Sequence, residues 1–179
     1  MFKELKKGTN MGYLLFERTK EIAPQLKENI RVEIFKPKLF KLYSKYEQSR
    51  SFRISLFRLY TFILTKGKVK VYFALGENDK ILHSAYIIPK NLKHAFLKKD
   101  EANIGPCNTV AEARGKGLYP YMVDYIVKDN PSKKCYLLIR EENVASIRGA
   151  LKAGFEVIDR KVTQTKLLKR FVPVKERKK

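Results

Sequence analysis

Ile104-Gly105-Pro106-Cys107-Asn108-Thr109-Val110-Ala111-Glu112-Ala113-Arg114-Gly115-Lys116-Gly117 decides how this chain is read. It opens as an extended apolar segment and ends in a glycine turn carrying two cations, Arg114 and Lys116. Leu118, Met122 and Ile126 follow at i, i+4 and i+8, the spacing of a helix face. A strand entering a helix through a glycine turn aims backbone N–H groups and the positive end of the helix dipole at one spot, which suits a phosphate or pyrophosphate. Pro120 fits the first helical turn, where its missing N–H costs nothing. Neither G-x-x-x-x-G-K-[ST] nor G-x-G-x-x-G is complete here, so the turn by itself also reads as an ordinary connection bearing solvated cations.

Outward from the turn, strands are expected at 12–18, 31–36, 69–75, 81–88, 135–139, 155–158 and 167–174. The run 20–29 reads as a short helix broken by Pro24, and Pro37 opens a helical stretch carrying Phe40, Tyr43 and Tyr46. Phe52, Leu56, Leu59 and Ile63 recur at helical spacing and predict a stripe facing the core, with Arg50, Arg53 and Arg58 off it in water. A basic amphipathic helix of this kind can also lie on anionic lipid, the less favoured reading. Asn143 is placed to cap a helix that Gly154 stops. The order strand, turn, helix, strand, helix, strand predicts an α/β core whose Leu118–Lys128 helix joins two neighbouring parallel strands.

Bulk properties bound the rest. The 179 residues, 44% of them apolar, suit a single domain spanning 1–179 with its motif-bearing core at about 66–160 and a charged tail at 175–179. No apolar run approaches the ~20 residues that span a bilayer, and the N-terminus does not read as a signal peptide. Cys107 and Cys135 form neither a disulfide framework nor a metal-ligand spacing; they read as buried thiols in a cytoplasmic protein. Lys and Arg number 39 against 18 Asp and Glu, a net charge of +21. That field attracts polyanions, so contact with nucleic acid or an anionic membrane stays open without being favoured. A homodimer is a separate open alternative.

Arg114-Gly115-Lys116-Gly117-Leu118-Tyr119 resembles the R/Q-x-x-G-x-G/A signature of the GNAT superfamily of acyl-CoA-dependent N-acyltransferases. Asn143-Val144-Ala145-Ser146, followed by Lys152-Ala153-Gly154-Phe155, resembles the superfamily's second block. The matching part runs from about Ile104 to Asp159. The resemblance implies a mixed sheet of about six or seven strands, helices on both faces and a parallel pair splayed apart at Thr109 and Tyr136. Unpaired main chain in that gap would hold the pantetheine arm of acetyl-CoA, and its pyrophosphate would reach the turn. Cofactor contacts are then expected from Asn108, Thr109, Val110, Arg114, Gly115, Lys116, Gly117, Leu118, Tyr119, Asn143 and Ser146, with no metal. Glycine at 115 and 117 would let the backbone approach the phosphates.

The implied chemistry is direct acetyl transfer from the thioester to an uncharged primary amine. It needs a proton acceptor, a polarised carbonyl and help for the departing thiolate. Ala150 stands where many members carry a tyrosine for the last task, so either Tyr119, Ser146 or water substitutes for it, or the leaving thiolate (aqueous thiol pKa ~8.5) needs little help. Glu101 and His83 are the candidates for the base. The G-P-C-N-T and R-G-K-G-L-Y-P runs also resemble acetyltransferases of cell-surface polysaccharide assembly, which makes an amino sugar the first expected acceptor. A protein, ribosomal or polyamine amine comes second. The competing class is a non-enzymatic binder in which the fold survives and the basic surface grips nucleic acid or membrane.

Overall fold

The computed structural model describes residues 12–26, 29–47, 51–165 and 170–173. One mixed sheet organises them, formed by β1 (Tyr13–Arg18), β2 (Arg31–Phe35), β3 (Lys70–Leu75), β4 (Ile81–Pro89), β5 (Glu101–Thr109), β6 (Lys134–Arg140), β7 (Phe155–Val157), β8 (Val162–Gln164) and β9 (Phe171–Pro173). The order is β2-β3-β4-β5-β6-β1-β8-β9, with β7 paired to β1, so the nine strands exceed the expected six or seven. All described pairs within the sheet are antiparallel except β5 with β6. The N-terminal β1 lies against the far edge of β6, and its Leu15 and Phe16 are buried on opposite faces of the sheet.

Helices α2 (Leu118–Asp129) and α3 (Val144–Lys152) cover one face. There Met122, Val123 and Ile126 pack with Ala85, Ile87, Ala102, Ile104, Leu137 and Phe155, the largest buried cluster. α2 joins the parallel pair, as the sequence predicts. Helix α1 (Phe52–Thr65) lies on the other face, where Phe57 packs on Val71, Phe73, Tyr86 and Ile88.

α1 is turned the opposite way from its expected orientation. Phe52, Leu56 and Ile63 are 80%, 56% and 61% exposed, while Arg58, Thr61 and Thr65 face inward. Arg58 is only 2% exposed. Its guanidinium donates twice to Glu47, at 2.6 and 2.7 Å, and also to the Leu42 carbonyl and the Tyr86 hydroxyl. The rings of Phe35, Tyr43, Phe73 and Tyr86 surround it. A buried cation is tolerated when it is paired and its donors are satisfied, and both conditions hold. Thr61 and Thr65 return their hydroxyls to carbonyls of the preceding turn. The inward face is therefore polar but saturated, and the apolar stripe is left outside.

Other local expectations also change. Residues 20–26 form no helix; they cross the α2 and α3 face as a strap, with the Thr19 and Lys20 N–H groups donating to the Gly154 carbonyl. Residues 37–47 are turns, not a helix, with Lys38 and Lys41 bridged around Leu39-Phe40. Of the expected strand at 167–174, Phe171–Pro173 is observed; Leu167 and Val174, like the tail and Arg50, lie outside the described residues.

Candidate functional site

β5 and β6 pair only at Glu101–Lys134, Ala102–Cys135 and Asn103–Tyr136. The strands then part, so the gap opens at Asn103 and not at Thr109, although Tyr136 is where β6 leaves as expected. The cause is a bulge. Ala85 of β4 faces Cys107, yet Ile87 faces Ile104, which leaves one extra residue on β5. A bulge bends its strand and increases local twist, here just past the last parallel pair. Gly105 occupies it at φ +139°, a conformation open to glycine and strained for other residues. Pro106 adds no N–H to the ladder. Glycine followed by proline inside an otherwise strand-like run is a bulge signal that the sequence displays and that periodicity does not register.

Beyond the bulge the chain makes the anticipated turn. The Val110 N–H donates to the Leu82 carbonyl, a single turn of 3-10 helix spans Ala111–Ala113, and α2 starts after Gly117. Gly117 caps α2 with no side-chain hydrogen bond, which leaves the first N–H groups of the helix for a ligand. Its left-handed φ of +86° favours glycine, and a Cβ there would sit 2.6 Å from the Gln25 carbonyl oxygen. The strap at 19–26 thus supplies a packing reason for glycine at 117, apart from any phosphate.

A cleft of about 470 Å³ lies between the turn, the outer end of β5 and α3. Asn108, Thr109, Arg114, Gly115, Gly117, Leu118, Tyr119, Asn143 and Ser146 all line it. Two residues named from the sequence do not: Val110, and Lys116, which faces a neighbouring hollow with Lys80 and Glu112. Arg148 and Lys152 also line the cleft; neither is among the expected contacts, although Lys152 opens the second half of the block at 143–155. Their i, i+4 spacing on one face of α3 was the available signal. With Arg114 they give the cleft three cations and no carboxylate among the described residues. Asn143 accepts from the Ser146 N–H, so it caps α3 while its residue edges the cleft.

Tyr119 lies against α3 because position 149 is glycine; a Cβ there would come 2.7 Å from the Tyr119 Cε1. Burial raises the Tyr119 hydroxyl well above its ordinary pKa, and the nearby Cys107 adds to this, so the phenol stays protonated. Burial also lifts the Cys107 thiol to about 12, which makes it an inert wall.

Neither candidate base faces the cleft. Glu101 sits at the closed end of the parallel pair, buried, and accepts from the Lys98 N–H, the Tyr136 hydroxyl and Arg160, the last at 3.1 Å. His83 shares a 2.7 Å hydrogen bond between its Nδ1 and the Thr109 hydroxyl, and its ring centroid is 6.2 Å from that of Tyr119. Burial lowers its pKa to about 4. Its Nε2 is buried with no partner among the described residues.

On the other face of the sheet a second hollow of about 270 Å³ is lined by Phe57, Tyr60, Asn91, Lys93, Asn103 and Phe171, among others, with no carboxylate among the described residues of its lining. The buried Asn103 Oδ1 also has no partner among the described residues. Asn103 stands where β5 and β6 part, so the two hollows lie on either side of that opening. Among the described residues no helix is long and apolar enough to cross a membrane, and no group of three or more His, Cys, Asp or Glu is placed to hold a metal ion.

No protein-family model and no curated protein matches the sequence. Solved structures do match in fold. A GNAT-family acetyltransferase from Colwellia psychrerythraea superposes with a TM-score of 0.56 at 13% identity, covering 82% of this chain and 53% of its own. A tandem GNAT protein from the clavulanic acid biosynthesis pathway gives 0.59 at 14%, covering 86% and 52%. A putative acetyltransferase from Acinetobacter baylyi gives 0.52 at 16%, covering 81% and 91%. The chain therefore spans about half the length of the first two. At these identities the match speaks for architecture: the chain has the fold of the GNAT acetyltransferases.

Proposed function

We propose that this chain transfers an acetyl group from acetyl-CoA to a primary amine, with the coenzyme in the three-cation cleft and the acceptor entering from the opposite hollow. The observation that carries this reading is the parting of β5 and β6 beside an uncapped helix start. Exposed main chain at Cys107–Thr109 suits an arm bearing amides, and the first N–H groups of α2 suit a pyrophosphate. Arg114, Arg148 and Lys152 supply its counter-charge, where the sequence predicts Arg114 and Lys116.

Acetyl-CoA supplies an activated thioester. The amine nitrogen forms the new C–N bond, the C–S bond breaks, and the amine proton leaves to solvent. Main-chain N–H groups near Asn108 polarise the carbonyl. Tyr119, held protonated, donates a hydrogen bond to the departing sulfur in place of the residue that Ala150 cannot provide. Water takes the amine proton in this scheme, because Glu101 is engaged by Arg160 and His83 is a weak base.

The acceptor hollow supports an amino sugar, in keeping with surface-polysaccharide assembly in the cytoplasm. Phe57, Tyr60 and Phe171 give the hollow an aromatic lining suited to a sugar ring, and the Asn103 Oδ1 has no partner among the described residues. Polycationic amines fit poorly where the described wall carries no carboxylate. The experiment is thiol release from acetyl-CoA against amino sugars, peptides and polyamines, with Tyr119→Phe alongside. Amino sugars should turn over fastest, and Tyr119→Phe should lower kcat about tenfold or more with coenzyme affinity nearly unchanged. Absence of amine-dependent thiol release across the panel would contradict the proposal.

A further inference from the structure

The outward face of α1 and the turn before it both leave apolar side chains exposed, and both carry exposed cations. Phe52, Leu56 and Ile63 project from the helix, Leu59 lies partly covered between them, and Tyr60 is exposed on the flank. Ahead of the helix, Leu39 and Phe40 stand at the tip of the Lys38–Lys41 turn, and Phe40 is 96% exposed. Turn and helix are tied together. The Tyr43 hydroxyl donates to the Ser51 carbonyl and meets the Ser55 hydroxyl at 2.7 Å, while Arg58 holds the Leu42 carbonyl. α1 carries no acidic residue, and Lys38 and Lys41 of the turn and Arg53 of the helix are exposed.

Single exposed apolar residues need no explanation, but a whole helical stripe joined to an exposed phenylalanine tip does. We infer that this surface docks on an anionic lipid bilayer, with Phe40, Phe52, Leu56 and Ile63 entering the interfacial layer and the lysines and Arg53 meeting headgroups. Charge selects this occupant. A second copy of the chain would bring two cation-bearing surfaces together, each on a chain of net charge +21. Nucleic acid would satisfy the cations and leave the aliphatic stripe wet. A bilayer takes both at once, because an amphipathic helix with basic edges lies in the interface plane. Docking has a geometric consequence. The other flank of α1, through Phe57, Tyr60, Thr61 and Leu64, lines the hollow on that side of the sheet, so a docked helix sets this hollow beside the headgroups. The inference stands whether or not the chain transfers acetyl groups.

The test is flotation of the full chain with vesicles of phosphatidylcholine alone or mixed with phosphatidylglycerol. Binding is expected to the mixed vesicles and not to phosphatidylcholine alone. Leu56→Ser and Ile63→Ser should each reduce the partition coefficient about tenfold. Phe40→Ser, which leaves the helix untouched, should do the same. All three should melt with the wild type, since the replaced side chains are exposed. Wild-type chain that stays out of the mixed vesicles would overturn the inference. So would serine variants that float as well as wild type, since binding would then be electrostatic alone. A dimer broken by Leu56→Ser, with no vesicle binding, would reassign the surface to self-association.

Discussion

Replacing Glu47 with leucine would leave the Arg58 guanidinium buried under α1 without its anion. The two 2.6–2.7 Å contacts are charge-assisted and bidentate, and Arg58 is almost fully covered. Removing one partner of a buried pair costs about 3–5 kcal/mol, because the remaining charge keeps its desolvation penalty. Four aromatic rings with centroids 5.4–5.9 Å from the guanidinium carbon, and the Leu42 carbonyl, still stabilise that charge. The lower end, about 3 kcal/mol, is therefore expected. For a chain of this length that lowers Tm by roughly 6–12 °C. The double variant Arg58→Met/Glu47→Leu removes both charges and should return to within about 1 kcal/mol of wild type. Thermal unfolding followed by circular dichroism measures all three variants. A shift below about 2 °C in Glu47→Leu would mean that Arg58 reaches water at little cost. The polar-inward setting of α1, and the exposure of its apolar stripe, would then be wrong.

Two further outcomes follow from the site and its surroundings. Gly149→Val drives side-chain atoms into the Tyr119 ring, so it should cost about 1–3 kcal/mol and abolish the rise in Tm produced by acetyl-CoA; an unchanged ligand-induced shift would argue against Tyr119 lining the coenzyme site. Acid should destabilise the fold through His83 and His94, whose burial lowers both pKa values from 6.5 to about 4. Between those values the unfolded chain binds more protons, so stability falls as pH drops from about 6.5 to 4, by about 3 kcal/mol per histidine at most; His83→Gln should remove one share, as read from urea unfolding across that pH range.

The turn at 114–117 and the helices beside it were legible because their signals are local. Glycines, a proline at the third helical residue and an apolar i, i+4 series need no distant partner to act. Nine of the eleven residues named for the coenzyme line one cleft; Asn108, Thr109, Asn143 and Ser146 among them came from the resemblance and not from periodicity. The orientation of α1 was not legible. Periodicity finds a stripe without saying which side of the helix meets the core, and Arg58 is drawn inward by Glu47 from a loop and Tyr86 from a strand. Glu101 looked available for proton transfer because its partner Arg160 lies far along the chain. The role of Gly117 in passing the 19–26 strap was hidden likewise, since Gln25 meets it only in the folded chain. Gly105-Pro106 differs from these cases: the bulge that opens the gap was written locally.

The account rests on a coenzyme bound between β5, the Gly117 turn and α3. Calorimetric titration of acetyl-CoA into wild type and into Arg114→Ala/Arg148→Ala measures this directly. Saturable one-to-one binding is expected for wild type, weakened about tenfold or more in the double variant by the loss of two charge-assisted contacts. Equal affinity in both proteins, or no heat of binding in wild type, would contradict it.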